Sequence, residues 1–121
     1  MNSNSTILIA DDSDTQLQHL KGILEAAGYK TITASSGNEA IALCEEMSPD
    51  AVMLDIIMDD GDGYKACRSI KKNPSTNATP IIMVSSKSNP VDKQWANMLG
   101  ATEYIVKPYQ NSEVLEKLQA V

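Results

Sequence analysis

The chain has few of the features that mark membrane, secreted or nucleic-acid-binding proteins. No apolar run approaches the roughly 20 residues that cross a bilayer, and the start, MNSNST, lacks the basic and apolar segments of a signal peptide. Ten basic residues against sixteen acidic ones give a net charge of −6, which argues against phosphate-backbone and anionic-membrane partners. We therefore expect a cytoplasmic protein with no direct nucleic-acid or membrane contact.

Cysteine is also scarce, and the placement of the two cysteines argues against a disulfide and against a metal site. Cys44 and Cys67 fall in helical patterns, and the chain contains neither a CxxC motif nor a cysteine cluster. We therefore expect two reduced, packed thiols rather than a disulfide or a metal site. With 121 residues and no internal repeat, the chain has the size of one ordinary domain, and we expect a single domain over residues 1–121.

Five short strand patterns alternate with five helical patterns. The segments TILIA, AVML and IIMV are uniformly apolar, as in strands buried on both faces of a parallel sheet, whereas KTITA alternates as a strand near a sheet edge does. Parallel neighbours need crossover helices, so the pattern predicts an α/β fold with a parallel sheet covered on both faces. The predicted strands are Thr6–Ala10, Lys30–Ala34, Ala51–Leu54, Ile81–Val84 and Glu103–Val106.

The helical patterns have recognisable starts and apolar faces. Ser36 with Glu39 forms a capping box, and in the fourth helix Val91, Trp95 and Leu99 recur at the spacing of an apolar face. For Trp95, ordinary partial burial is favoured over stacking on a ligand. The other predicted starts are Ser13 or Asp14 for the first helix, Tyr64 for the third, Ser88 or Asn89 for the fourth and Ser112 with Glu113 for the fifth.

Polar side chains follow four of the five strands. Asp11 and Asp12 follow the first strand, Asp55 the third, Ser85 the fourth and Lys107 the fifth. In an open parallel sheet these ends meet at one edge, where carboxylates about 4 Å apart repel each other by several kcal/mol. A hard divalent cation would relieve that repulsion, and Mg²⁺ with oxygen ligands fits. With no histidine or cysteine beside these ends, zinc is disfavoured.

This set of residues is suited to phosphoryl chemistry. A carboxylate such as Asp55 can attack phosphorus and form an acyl phosphate. Lys107 would neutralise charge on the phosphoryl oxygens, and the Ser85 hydroxyl could donate to one of them. Taken singly, the acids could cap helices, the serine could be a loop hydroxyl and the lysine a surface charge; their joint placement favours a site.

Taken together, the acid pair, Asp55, Ser85 and Lys107-Pro108 resemble the receiver domains of two-component signalling, and the chain is similar to stand-alone chemotaxis-type response regulators. The resemblance implies a flavodoxin-like sheet in the order 2-1-3-4-5, Asp55 as phosphoacceptor, Ser85 as switch hydroxyl and Tyr104 as switch aromatic. It implies Mg²⁺, replaceable by Mn²⁺, bound by Asp12, Asp55 and the backbone carbonyl of Ile57, with Asp11 in close support. The segment VDKQWANMLGA also resembles receivers of type IV pilus twitching motility systems.

The resemblance also implies partners. The phosphoryl group would come from a histidine kinase or a phosphotransfer protein, and the chain would catalyse its own phosphorylation and slow dephosphorylation. Output would pass to a protein target through the surface of the fourth helix, fifth strand and fifth helix, with the protein a monomer or a phosphorylation-dependent dimer. Two other readings stay open: a phosphorylation-independent adaptor with the same fold, and a flavin-binding protein or aspartyl phosphatase.

One segment departs from the family pattern. After Met58 the family usually has proline, whereas this chain has Asp59, followed by Asp60, Gly61 and Asp62. The change removes a fixed φ angle from the loop and adds carboxylates beside the expected site. Gly63 stands where the family has its loop glycine, and we expect the function to survive.

Overall fold

A computed structural model describes residues 4–58 and 63–121, in which five strands alternate with five helices. The strands are β1 (Thr6–Ala10), β2 (Lys30–Ala34), β3 (Ala51–Asp55), β4 (Ile81–Ser85) and β5 (Glu103–Val106). The helices are α1 (Asp14–Ala26), α2 (Gly37–Met47), α3 (Gly63–Lys72), α4 (Pro90–Met98) and α5 (Asn111–Gln119). All strand pairs are parallel, in the order β2-β1-β3-β4-β5, which confirms the predicted fold.

The apolar strands are buried because helices cover both faces of the sheet. Successive residues of a strand point to opposite faces, so Ile7 and Ile9 pack with α1 and α5, while Leu8 and Ala10 pack with α2, α3 and α4. β2 lies at an edge and is only partly buried, as its alternating sequence predicts. The sheet therefore presents all its carboxyl-terminal strand ends at one edge of a rigid core.

The predicted helix starts are confirmed at α1, α2 and α4, where the Asn89 side chain accepts from the Val91 backbone N–H, and differ by one residue at α3 and α5. Helix α3 begins at Gly63 rather than Tyr64. The Ser13 and Ser36 side chains accept hydrogen bonds from the backbone N–H groups of Gln16 and Glu39. The prediction for the last helix was wrong by one residue: α5 begins at Asn111 after Gln110, whose side chain makes no capping hydrogen bond. The backbone turns into α5 before the Ser112–Glu113 signal is reached.

The predicted apolar face of α4 was wrong for Val91 and Trp95, whereas Leu99 packs against the core as expected. Val91 is 67% exposed and Trp95 is 47% exposed, while the one residue of α4 that is fully buried is Ala96. A small residue lets α4 lie close to the sheet, and this rotates the larger apolar side chains toward solvent. Trp95 is half-buried against the edge of the Tyr64 ring, as the sequence analysis favoured.

Both cysteines are buried free thiols, as predicted. Burial raises the pKa of Cys67 to about 11, so its reactive thiolate form is scarce at neutral pH. Within the described part of the chain, no helix is long and apolar enough to span a bilayer.

Candidate metal and phosphoryl site

Three carboxylates meet where β1 and β3 end. The two strands are neighbours, and Ala10 pairs with Leu54, so Asp11 and Asp55 follow at the same level of the sheet. One carboxylate oxygen from each of Asp11, Asp12 and Asp55 lies within 4.8 Å of the others. Asp11 is buried and Asp12 is exposed, so the cluster spans from the protein interior to solvent.

Lys107 supplies the positive charge beside this cluster. Its ammonium nitrogen lies 3.0 Å from Asp11 Oδ2 and 3.5 Å from Asp55 Oδ2. It also donates a hydrogen bond to the side-chain oxygen of Gln16 in the first turn of α1. The lysine therefore contacts residues that follow β1 and β3 although it follows β5, and it offsets part of the repulsion among the three acids.

The Asp55 carboxylate is mostly shielded from water. Burial raises its pKa above the ordinary aspartate value, repulsion by Asp11 acts in the same direction, and Lys107 opposes both. The Ile57 backbone N–H points at Asp55 Oδ1 across 3.4 Å. The group is thus a partly desolvated acid held between a cation and a backbone donor.

Ser85 and Tyr104 lie behind the cleft and are joined through one loop residue. The Ser85 hydroxyl is fully buried and accepts a hydrogen bond from the Lys87 backbone N–H at 3.2 Å. The Tyr104 hydroxyl donates to the Lys87 carbonyl at 2.8 Å. The Ser85 carbonyl accepts from the Lys107 backbone N–H at 2.8 Å. Sequence reasoning named these residues separately, and the structure connects them through the segment that follows β4.

The acid cluster forms one end of a cleft of about 660 Å³. Ile57 lines the cleft with its side chain 54% exposed, and Ser86 rather than the buried Ser85 contributes to the wall. Gln16 and Tyr109 also line it, and the sequence analysis did not single them out. Neither residue follows a strand directly, so no strand-end signal could identify them; their places depend on how α1 and the segment after β5 fold against the sheet.

The donor set fits a hard divalent cation. Mg²⁺ binds oxygen ligands at about 2.1 Å, so two ligands on opposite sides of the ion are roughly 4 Å apart. The carboxylate oxygens of Asp11, Asp12 and Asp55, which lie within 4.8 Å of one another, approach this spacing. The Ile57 carbonyl belongs to the adjoining backbone segment, and its role as a ligand stays a prediction. The three loop acids Asp59, Asp60 and Asp62 lie outside the described residues.

Comparisons with known proteins agree with the geometry. The sequence model of the response regulator receiver domain matches residues 7–119. Protein PilH of Pseudomonas aeruginosa is 36% identical over 115 residues, which cover 95% of each chain. The structure of chemotaxis protein CheY4 of Vibrio cholerae has a TM-score of 0.91 and 31% identity, over 97% of this chain and 98% of that one.

A further structure bears on the metal. The receiver domain of a sensor histidine kinase from Pseudomonas aeruginosa has a magnesium ion coordinated in its active site cleft. It is 25% identical to this chain, with a TM-score of 0.90 over 97% of this chain and 96% of that one.

Proposed function

The chain belongs to the response regulator receiver domain family, whose members are phosphorylation-dependent switches of two-component systems, and we propose that Asp55 accepts the phosphoryl group. The observation that carries the proposal is the meeting of three carboxylates with Lys107 at the ends of β1, β3 and β5. The proposed unit of function is the single domain over residues 1–121.

In the proposed reaction, a carboxylate oxygen of Asp55 attacks the phosphorus of a phosphohistidine on a histidine kinase or a phosphotransfer protein. The O–P bond forms as the P–N bond breaks, and the imidazole nitrogen keeps the electron pair of that bond. Asp12, Asp55 and the Ile57 carbonyl, supported by Asp11, are the proposed ligands of Mg²⁺ or Mn²⁺. When bound, the ion neutralises charge on the phosphoryl oxygens.

Lys107 and Ser85 have separate roles in this proposal. The Lys107 ammonium lies 3.5 Å from Asp55 and is close enough to pair with a phosphoryl oxygen after small movements. The Ser85 hydroxyl accepts from a backbone N–H and also interacts with the Tyr104 hydroxyl, so its proton would turn from Tyr104 to the phosphoryl group. Moving toward that group would weaken the hydrogen bond between Ser85 and Lys87.

The same movement would change the output surface. Tyr104 donates to the Lys87 carbonyl, so a shift of the segment after β4 alters the position that the tyrosine ring can take. Tyr104 lies on β5 beside α4, and we propose that the surface of α4, β5 and α5 presents the change to a downstream protein target. Such coupling between a charge and a two-state segment is how phosphorylation switches act.

The proposal is tested by incubating the protein with acetyl phosphate, with Mg²⁺ or with EDTA. We expect intact-mass analysis to show one added phosphoryl group with Mg²⁺ and none with EDTA. The adduct should be released by hydroxylamine, as an acyl phosphate is. A protein that binds its partner normally yet gains no phosphoryl group would be a phosphorylation-independent adaptor.

Mg²⁺ should also stabilise the folded protein. A ligand that binds only the native state at ten times its Kd adds about 1.4 kcal/mol to the free energy of unfolding, which corresponds to a Tm rise of roughly 5 °C for a domain of this size. We expect Asp12→Asn to remove most of this rise, because it removes one of the three clustered carboxylates. Differential scanning calorimetry with and without Mg²⁺ measures the effect.

A matched control for this measurement is Glu46→Gln, which removes one exposed carboxylate on α2. This variant should keep the full Mg²⁺-dependent rise in Tm. If Asp12→Asn and Glu46→Gln responded to Mg²⁺ alike, the assignment of the ion to the carboxylate cluster would be wrong.

Ile57 is expected to slow loss of the phosphoryl group. Its side chain is 54% exposed at the cleft, two residues after Asp55, where an apolar group hinders the approach of water. Ile57→Asn should raise the first-order dephosphorylation rate by several-fold, measured by phosphate release after removal of the donor. Met47→Asn, an equivalent change at an exposed position on α2, should leave the rate unchanged, and equal rates in both variants would contradict the role.

A further inference from the structure

The surface between α3 and α4 carries exposed apolar side chains that the proposed switch does not use. Met98 is 71% exposed, Val91 67% and Trp95 47%. Val91, Trp95 and Met98 stand at positions i, i+4 and i+7 of α4, so they form one stripe along the helix. Contiguous exposed apolar side chains of this kind are typical of sites that bind another protein.

The stripe lies on the side of α4 that faces α3. Trp95 packs edge-on against Tyr64 with ring centroids 6.5 Å apart, and the Tyr64 hydroxyl donates to Asp92 Oδ1 at 2.9 Å. On the other side of α4, Lys93 and Asn97 line a hollow with Tyr104 of β5. The stripe is therefore separate from the surface proposed for output through β5.

The neighbouring helix gives this surface a positive rim. α3 holds four of the ten basic residues of the chain and no acidic residue, although the chain as a whole has a net charge of −6. Arg68 stands four residues after Tyr64, on the same side of α3, and its side chain is exposed. Asp92, the one acid of α4, already accepts the Tyr64 hydrogen bond.

We propose that Tyr64, Arg68, Val91, Trp95 and Met98, the α3–α4 surface, bind an acidic amphipathic helix of a partner protein. The apolar side of such a helix would cover the stripe on α4, and its carboxylates would face the exposed cations of α3. Lys71 is not among them, because its ammonium already donates to the Asn77 and Thr79 carbonyl groups. Charge complementarity selects this occupant over a second copy of this acidic chain.

Trp95 supplies a direct assay because it is the only tryptophan of the chain. The probe is a synthetic, tryptophan-free helical peptide with leucine at i, i+3, i+4 and i+7 and glutamate at the other positions. Its counterpart has lysine in place of glutamate. We expect the glutamate peptide to shift Trp95 emission to shorter wavelength in a saturable manner, with an affinity that falls as salt is added, and the lysine peptide to bind at least tenfold more weakly.

Variants distinguish the α3–α4 surface from other sites. Arg68→Glu should weaken binding of the glutamate peptide by about tenfold, the equivalent of about 1.4 kcal/mol, because attraction between opposite charges becomes repulsion between like charges. Met98→Ser should weaken binding of the same peptide several-fold, because it removes apolar surface from the stripe. Lys93→Glu makes the same charge change on the opposite side of α4 and should have little effect. All three side chains are exposed, so each variant should fold.

Four results would overturn the proposal. These are no emission shift at millimolar peptide, equal binding of the two peptides, equal effects of Arg68→Glu and Lys93→Glu, and an emission shift that depends on protein concentration without peptide. The last would identify a second copy of the chain as the occupant, and analytical ultracentrifugation would show the dimer.

Discussion

Asp55→Asn should abolish labelling by acetyl phosphate in the presence of Mg²⁺. The substitution keeps the size and shape of the side chain but removes the anionic oxygen that would attack phosphorus. Asp55 lies between the Lys107 ammonium and the Ile57 backbone N–H, which places its carboxylate beside the groups that would hold the phosphoryl group. We expect no added phosphoryl group by intact-mass analysis over a period in which the native protein reaches a plateau.

Glu46→Gln is again the control, because it removes one carboxylate from the exposed part of α2 and leaves the cluster intact. It should be labelled at the native rate. Circular dichroism of Asp55→Asn should match that of the native protein, so that loss of labelling cannot come from unfolding. Persistent labelling of a folded Asp55→Asn protein would show that another residue is the acceptor.

Gly63→Ala should destabilise the fold, because the added methyl group has no room beside the backbone of β3. A Cβ atom at this position would overlap the backbone carbonyl oxygen of Asp55 and come within 2.9 Å of the Ile56 Cα atom. These are backbone atoms, which cannot rotate away as a side chain can. We expect a loss of about 2 kcal/mol in the free energy of unfolding, measured by urea denaturation with Trp95 fluorescence and circular dichroism.

The matched control is Gly22→Ala. Gly22 lies inside α1, and a Cβ atom there would meet no atom within 4 Å. Because alanine favours a helix interior over glycine, this variant should gain about 0.5 to 1 kcal/mol. Gly63→Ala should also label more slowly with acetyl phosphate, since the added atom pushes on the backbone of Asp55. A Gly63→Ala protein as stable as Gly22→Ala would refute the close approach.

The local sequence specifies much of the fold. Segments such as TILIA and IIMV are apolar at every position, and only a strand covered on both faces buries all of them. Capping serines at Ser13 and Ser36 started helices where expected. Helix α4 was different, because the small Ala96 rather than Trp95 packed inward.

The candidate site was predictable to the extent that it depends on strand ends. Asp11, Asp12, Asp55 and Lys107 lie at or just after the ends of strands, so a parallel sheet is enough to bring them together. Gln16 was missed because its contact with Lys107 joins residues from opposite ends of the chain. No periodicity or spacing in the sequence indicates such a contact. The join between Ser85 and Tyr104 through the Lys87 backbone is of the same kind.

The sequence by itself determined the alternation of strands and helices along the chain, the parallel sheet and the set of polar residues at its edge. These features follow from burial patterns and from the residues at the ends of strands. The tertiary structure alone decided that Lys107 contacts both Asp11 and Asp55 and that Val91, Trp95 and Met98 face solvent beside α3. The physical reason is that helix rotation and long-range polar contacts are set by the packing of whole elements against each other, which neighbouring residues along the chain do not specify.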